Sequence, residues 1–260
     1  MKPLITLCLF TLVFANSLFA KVIEKRVPYS LDGTSFEGVL VYDDDLDEPK
    51  PAILMVPNWL GMTPESIEKA KKVASDDYVV FVADMYGVDI RPKNSAEAGQ
   101  AAGFVRSDRD LMRKRAQKSL EVLLSQHAPT KKTQTAAIGF CFGGGVVLEL
   151  GRTGADLDAI VSFHGDLLSP TLTADAGKTQ ASVLVLHGAD DPFVPQSDVQ
   201  QFVATMMQTK VDWQLVQFSN TVHSFTDPHA NMPGKAEYNA LSAKRAFDYM
   251  DELFDEKFGD

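Results

Sequence analysis

A single cysteine stands at the centre of Gly139-Phe140-Cys141-Phe142-Gly143, a Gly-x-Cys-x-Gly stretch followed by two more glycines. Such spacing puts the thiol at the tip of a sharp turn between a strand and a helix. Close approach of the two elements leaves no room for side chains at Gly139 and Gly143, and the tip residue is held in a strained backbone conformation. Nothing in the turn itself requires sulfur. A helix N-terminus does favour thiolate over thiol, and the thiolate is the nucleophile. The implied chemistry is covalent attack by sulfur on an electrophilic centre, which needs a base and an acid to orient it. Both follow in the order nucleophile, acid, base. Gly188-Ala189-Asp190-Asp191-Pro192-Phe193-Val194-Pro195 carries two carboxylates, and Ser219-Asn220-Thr221-Val222-His223-Ser224-Phe225 carries one histidine. His223 would manage the proton of Cys141, and Asp191 or Asp190 would fix the imidazole tautomer.

Acyl chemistry also needs N–H donors for the developing oxyanion. One is the N–H after the nucleophile, that of Phe142. The other falls in Pro57-Asn58-Trp59-Leu60-Gly61, where Trp59 is the candidate. Asn58, Tyr86, Arg106, Phe193 and His164 are the expected substrate contacts. His127 lies in a polar link, His229 beyond the site, and His187 at a strand end where packing accounts for it. The histidines and carboxylates do not cluster at metal-ligand spacing, so neither a metal nor an organic cofactor is expected.

These residues need a scaffold that brings strand ends together. Val22 to Tyr29 and Ser35 to Tyr42 read as a hairpin around Leu31-Asp32-Gly33-Thr34. Short apolar runs at Ala52 to Val56, Tyr78 to Ala83, Thr135 to Phe140, Ala159 to Phe163 and Val183 to His187 read as strands buried on both faces. A further strand is expected at Asp212 to Phe218. Helices are expected at Pro64 to Ser75 with Thr63 as cap, Ser95 to Phe104, Asp108 to Ser125, Gly143 to Leu150, Gln196 to Met207 and Ala236 to Phe254. Buried strands alternating with helices make a doubly wound, mostly parallel α/β sheet flanked by helices. Ligands bind such sheets beyond the carboxyl ends of the strands, where every candidate above is found.

The chain has 260 residues, enough for one large α/β domain at positions 21–260. Before it, Lys2 is followed by an apolar run from Leu4 to Ala15 and then small residues, which reads as a signal peptide over residues 1–20. The run is too short for a membrane anchor. An exported, periplasmic protein is expected. Without those residues 24 basic stand against 35 acidic side chains. The densest basic stretch, Arg106 to Lys118, is interspersed with acids, so a nucleic-acid partner is not expected. Cys8 falls within the signal, which leaves Cys141 as the only cysteine and rules out an internal disulfide.

From about Ser35 to Phe254 the chain resembles the dienelactone hydrolases, a cysteine branch of the α/β-hydrolase fold. The resemblance is carried by Gly139-Phe140-Cys141-Phe142-Gly143-Gly144, by Asp191-Pro192-Phe193-Val194-Pro195, by His223-Ser224-Phe225 and by Asp84-Met85-Tyr86. It implies an α/β-hydrolase fold, a Cys141-His223-Asp191 triad with Asp191 as the acid, and a small-molecule ester or lactone cleaved through a thioester. A monomer is expected. One position departs. The family commonly has a glutamate, linked to control of the cysteine's protonation, where this chain has Asn58. With no carboxylate there to repel it, the thiolate is expected to form more readily. A rival reading keeps the fold but makes the protein a non-catalytic periplasmic binding or redox-responsive protein, with Cys141 as the sensitive thiol.

Overall fold

The computed structural model describes residues 22–44, 48–75 and 77–259. The expected signal peptide, and residues 45–47 of the acidic turn after the hairpin, lie outside them. Two strands, β1 (Val22–Leu31) and β2 (Thr34–Asp43), form the opening hairpin. Then follow β3 (Lys50–Val56), α1 (Pro64–Ala74), β4 (Val79–Val82), α2 (Ser95–Ser107), α3 (Arg109–Ser125), β5 (Thr130–Phe140), α4 (Phe142–Gly151) and β6 (Ala159–Phe163). The chain closes with α5 (Leu172–Asp175), β7 (Ser182–Gly188), α6 (Gln196–Met206), β8 (Trp213–Phe218) and α7 (Ala240–Phe258).

The eight strands form one sheet in the order β1-β2-β4-β3-β5-β6-β7-β8. β1 and β2 run antiparallel to their neighbours, and the remaining pairs are parallel. This is the expected α/β-hydrolase arrangement. Because successive side chains point to opposite faces, each apolar strand supplies two cores. Leu54, Val56, Phe81, Ala137 and Val185 pack with α2, α3, α4 and α6 on one face, whereas Ile53, Met55, Val80, Ile138 and Leu186 pack with α1 and α7 on the other. No helix among the described residues is long and apolar enough to cross a membrane.

Local chemistry sets the helix starts. Thr63 and Ser66 form a reciprocal capping box around Pro64, and Asn94, Asp108 and Asn239 cap α2, α3 and α7 through their side chains. The α3–α4 contact carries a buried ion network. Glu149, 1% exposed, accepts from Arg113 at 2.8 Å and from Arg152 at 2.8 Å, and Arg113 also reaches Asp175 at 2.9 Å.

Three stretches differ from the sequence expectation. β5 begins at Thr130, not Thr135, because its polar first half pairs with Lys50 and Pro51 across a register shift. α5 is a single turn too short to show a period. The last helix begins at Ala240, not Ala236, because Ala236–Glu237 pair with Asn231–Met232 as a short antiparallel ribbon.

Candidate active site

Near the end of β5, Gly139 lies opposite both Val56 and Ser162 in the sheet register and Phe140 opposite Phe163, so the residue that follows the strand stands at the carboxyl ends of β3 and β6. That residue is Cys141, with φ 55° and ψ −117°. The glycines around it are obligatory. A Cβ at Gly139 would stand 2.1 Å from the Gly143 carbonyl oxygen, and one at Gly143 would stand 2.1 Å from that of Val56 and 2.5 Å from that of Pro57. Bare backbone at Gly143 thus lets the Pro57–Gly61 loop close on the first turn of α4.

β7 and β8 bring the other two candidates. Asp191 accepts the N–H groups of Phe193 at 2.8 Å and Val194 at 3.3 Å on Oδ1, leaving Oδ2 for His223 Nδ1 at 2.6 Å. Asp190, which the residue pattern alone could not separate from Asp191, is exposed and uses its N–H on the Thr221 carbonyl. The two loops meet because Gly188 has no side chain, and a Cβ there would lie 2.5 Å from the Thr221 oxygen. His223 itself is held as in a strand. Its N–H donates to Lys235 and its carbonyl accepts from Glu237, so the unforeseen ribbon at 231–237 is what fixes the histidine.

The His223 side chain is hydrogen-bonded to Asp191 and has Cys141 as its other polar neighbour. Burial works against its charged form, but these two partners outweigh burial and raise its pKa to about 10. Phe142 N–H, at the first position of α4, has no carbonyl four residues back within the helix. Among the described residues the Trp59 N–H has no hydrogen-bond partner. No group of three His, Cys, Asp or Glu among the described residues is placed to hold a metal ion.

The model of the dienelactone hydrolase family matches residues 36–258. The chain belongs to this family. A dienelactone hydrolase-like promiscuous phosphotriesterase from metagenomic libraries is 38% identical and superposes with a TM-score of 0.85 over 92% of this chain and 99% of its own. A second solved structure, designated m3DLH, is 34% identical, with a TM-score of 0.84 over 91% of this chain and 98% of that one. A Synechocystis sp. protein with the provisional name carboxymethylenebutenolidase is 24% identical over 78% of this chain and 85% of its own. Membership makes this chain an ester or lactone hydrolase.

In this dienelactone hydrolase the expected substrate contacts divide. Phe193 is 53% exposed and meets the His223 ring edge-on at 5.2 Å, forming an outer wall. Tyr86 is buried, and its hydroxyl donates to the Trp59 carbonyl at 2.8 Å, which ties the loop after β3 to the loop after β4. Burial raises its pKa, and the charge of Arg106 opposes that rise. Arg106 lies 5.4 Å over the Phe142 ring and pairs with Asp166 at 2.8 Å across the mouth.

Asn58 spends its side-chain oxygen on the Leu60 N–H at 3.0 Å and lines the groove between α1 and α7. The expectation for His164 is corrected. His164 is 2% exposed, with one ring nitrogen on the Cys141 N–H and the other on the Thr226 hydroxyl, so neither is left for substrate. Thr226 carries no sequence signal beyond lying three residues after His223. His187 is buried as expected, and neither of its nitrogens has a partner among the described residues.

Proposed function

We propose that this protein is an exported dienelactone hydrolase-like enzyme that cleaves activated esters or lactones through Cys141, His223 and Asp191. The single observation that carries the reading is His223 Nδ1 held 2.6 Å from Asp191 Oδ2, on a loop that meets the strained elbow of Cys141. The Cys141 thiolate attacks the carbonyl carbon, and the carbonyl electron pair moves onto oxygen, which the N–H groups of Trp59 and Phe142 stabilise. Collapse expels the alcohol oxygen, which takes the proton from His223; in a lactone the alcohol stays tethered. Neutral His223 then accepts a proton from water as that water attacks the thioester. The thiolate leaves, and carboxylic acid and free enzyme result. Asp191 holds Nδ1 protonated throughout, so only Nε2 faces the reaction. Thiolate is a better leaving group than an amine anion, which favours esters over amides.

Export rests on Lys2 and the apolar run from Leu4 to Ala15. Action as a monomer is supported by the open edge of β1, where exposed Glu24, Lys25 and Arg26 oppose pairing with another strand.

The test is p-nitrophenyl acetate turnover before and after one equivalent of iodoacetamide, with mass spectrometry to locate the label. Turnover abolished by one label on Cys141 is the expected result. Full turnover with Cys141 alkylated, or in Cys141→Ala, would sink the reading. A second activity has its own support in the phosphotriesterase relative at 38% identity. Its check is release of p-nitrophenol from a dialkyl p-nitrophenyl phosphate, lost in Cys141→Ala.

A further inference from the structure

His164 lies directly behind the nucleophile, and no step above uses it. It follows β6 with φ 41°, a conformation that a residue with a side chain keeps only where its surroundings hold it there. Its Nδ1 lies 3.1 Å from the Cys141 nitrogen and its Nε2 2.9 Å from Thr226 Oγ1. A backbone N–H only donates, so Nδ1 must be the bare nitrogen and Nε2 must carry the proton and give it to Thr226. Geometry therefore sets the tautomer. The ionisable groups acting on the ring are His223 from the loop after β8, Lys69 from α1 and His187 from β7. All three disfavour a second positive charge, as burial does first and most, so the ring stays neutral.

We infer that His164 is a positioning residue for Cys141, its Nδ1 holding the Cys141 N–H on the sheet side so that the strained tip keeps its sulfur aimed at His223. The inference rests on Cys141 being the nucleophile. Phe163 accepts the same N–H at 3.0 Å, so the bond is shared between a carbonyl and the imidazole. The two acceptors differ in what lies behind them. The carbonyl belongs to β6, whereas the imidazole is anchored at Thr226, on the same loop as His223. One ring thus ties the backbone of the nucleophile to the loop of its partner, and its edge also meets the His223 ring with centroids 5.1 Å apart. The arrangement further keeps the Cys141 N–H out of the oxyanion pair, leaving that task to Phe142 and Trp59. His164 itself is 2% exposed and offers nothing to a substrate, so its loss falls on the chemical step.

Leucine and asparagine have nearly the same shape, and only asparagine places an acceptor near the position of Nδ1. The experiment compares His164→Leu with His164→Asn for kcat and KM on p-nitrophenyl acetate, and follows the imidazole ¹⁵N shifts of the wild-type protein from pH 5 to 9. Expected are a fall in kcat of about five- to tenfold for the leucine variant with KM within about twofold, as suits one lost hydrogen bond. Recovery of most of that loss in the asparagine variant is expected too, together with His164 shifts of the neutral Nε2–H form throughout. Equal losses in both variants, a loss confined to KM, or an Nδ1–H or doubly protonated ring would each overturn the inference. Should the leucine variant fail to fold, the wild-type ¹⁵N spectrum decides. Turnover that survives Cys141→Ala would instead overturn the nucleophile assignment, a result the tautomer measurement does not share.

Discussion

Replacing Asp191 by asparagine keeps the shape of the acid and removes one acceptor, and the surrounding bonds dictate which one. Oδ1 receives two backbone N–H groups, from Phe193 at 2.8 Å and Val194 at 3.3 Å. An amide nitrogen at that position would confront two donors and forfeit both bonds, each contributing about 1 kcal/mol. The amide oxygen therefore stays there, and the NH₂ group takes the place of Oδ2, 2.6 Å from His223 Nδ1. A donor at that distance requires Nδ1 to be bare. The remaining proton moves to Nε2, and the imidazole facing Cys141 is neutral and unable to accept from a thiol. Asp191→Asn should then lower kcat/KM by roughly 10³- to 10⁴-fold, the scale of a triad locked in the wrong tautomer. That corresponds to about 4–5.5 kcal/mol of barrier. The assay is p-nitrophenyl acetate hydrolysis from pH 5 to 10, with the iodoacetamide alkylation rate of Cys141 measured in parallel. Both rates should fall near neutrality, and thermal unfolding should confirm an intact fold. Activity within tenfold of wild type would refute the reasoning.

The raised His223 has a thermodynamic signature as well. Its folded value of about 10 exceeds the reference value of 6.5, so its stabilisation is complete below about pH 6.5 and is lost as pH rises through about 10. The melting temperature should fall between pH 7 and 10.5 in the wild type and fall less in Asp191→Asn, as read by calorimetry. Gly143→Ala forces a methyl group against the Val56 and Pro57 carbonyls. It should cost about 1–3 kcal/mol in urea unfolding and lower kcat by displacing the Trp59 loop; unchanged kcat would show that the loop does not hold the oxyanion. Glu149→Gln leaves Arg152, 4% exposed, without its counter-charge. A loss of about 3–5 kcal/mol is expected in urea unfolding, with kcat/KM per folded molecule unchanged.

Much of this molecule is legible in its sequence, for identifiable reasons. Strands such as Ile53 to Val56 and Val79 to Val82 are apolar at every position because both faces are covered. The elbow is legible because only glycine tolerates carbonyl oxygens as close as those at Gly139 and Gly143. The choice between Asp190 and Asp191 is not, since both follow the same strand. It depends on the N–H groups of residues 193 and 194, which orient one carboxylate inward. The ribbon at 231–237 is equally hidden, because Asn231-Met232-Pro233-Gly234-Lys235 has no apolar period and its role is to pair with the backbone of His223. His164 misleads for another reason. A positive φ turns its side chain inward, and a residue just past a strand end gives no sign of which way it faces.

The sheet order places the sulfur and its cation on strands of unequal security. Cys141 follows β5, which is paired with a parallel neighbour on each side, whereas His223 follows β8, the last strand on its side and paired only with β7. Edge strands open more readily than central ones. When β8 frays it carries the His223 imidazole away, and the sulfur left behind has no partner to take or return a proton. A damaged or half-assembled copy is therefore disarmed instead of being left as an indiscriminate nucleophile. With Cys141 as the proposed nucleophile, the weakest margin of the fold works as a safety catch on its sulfur.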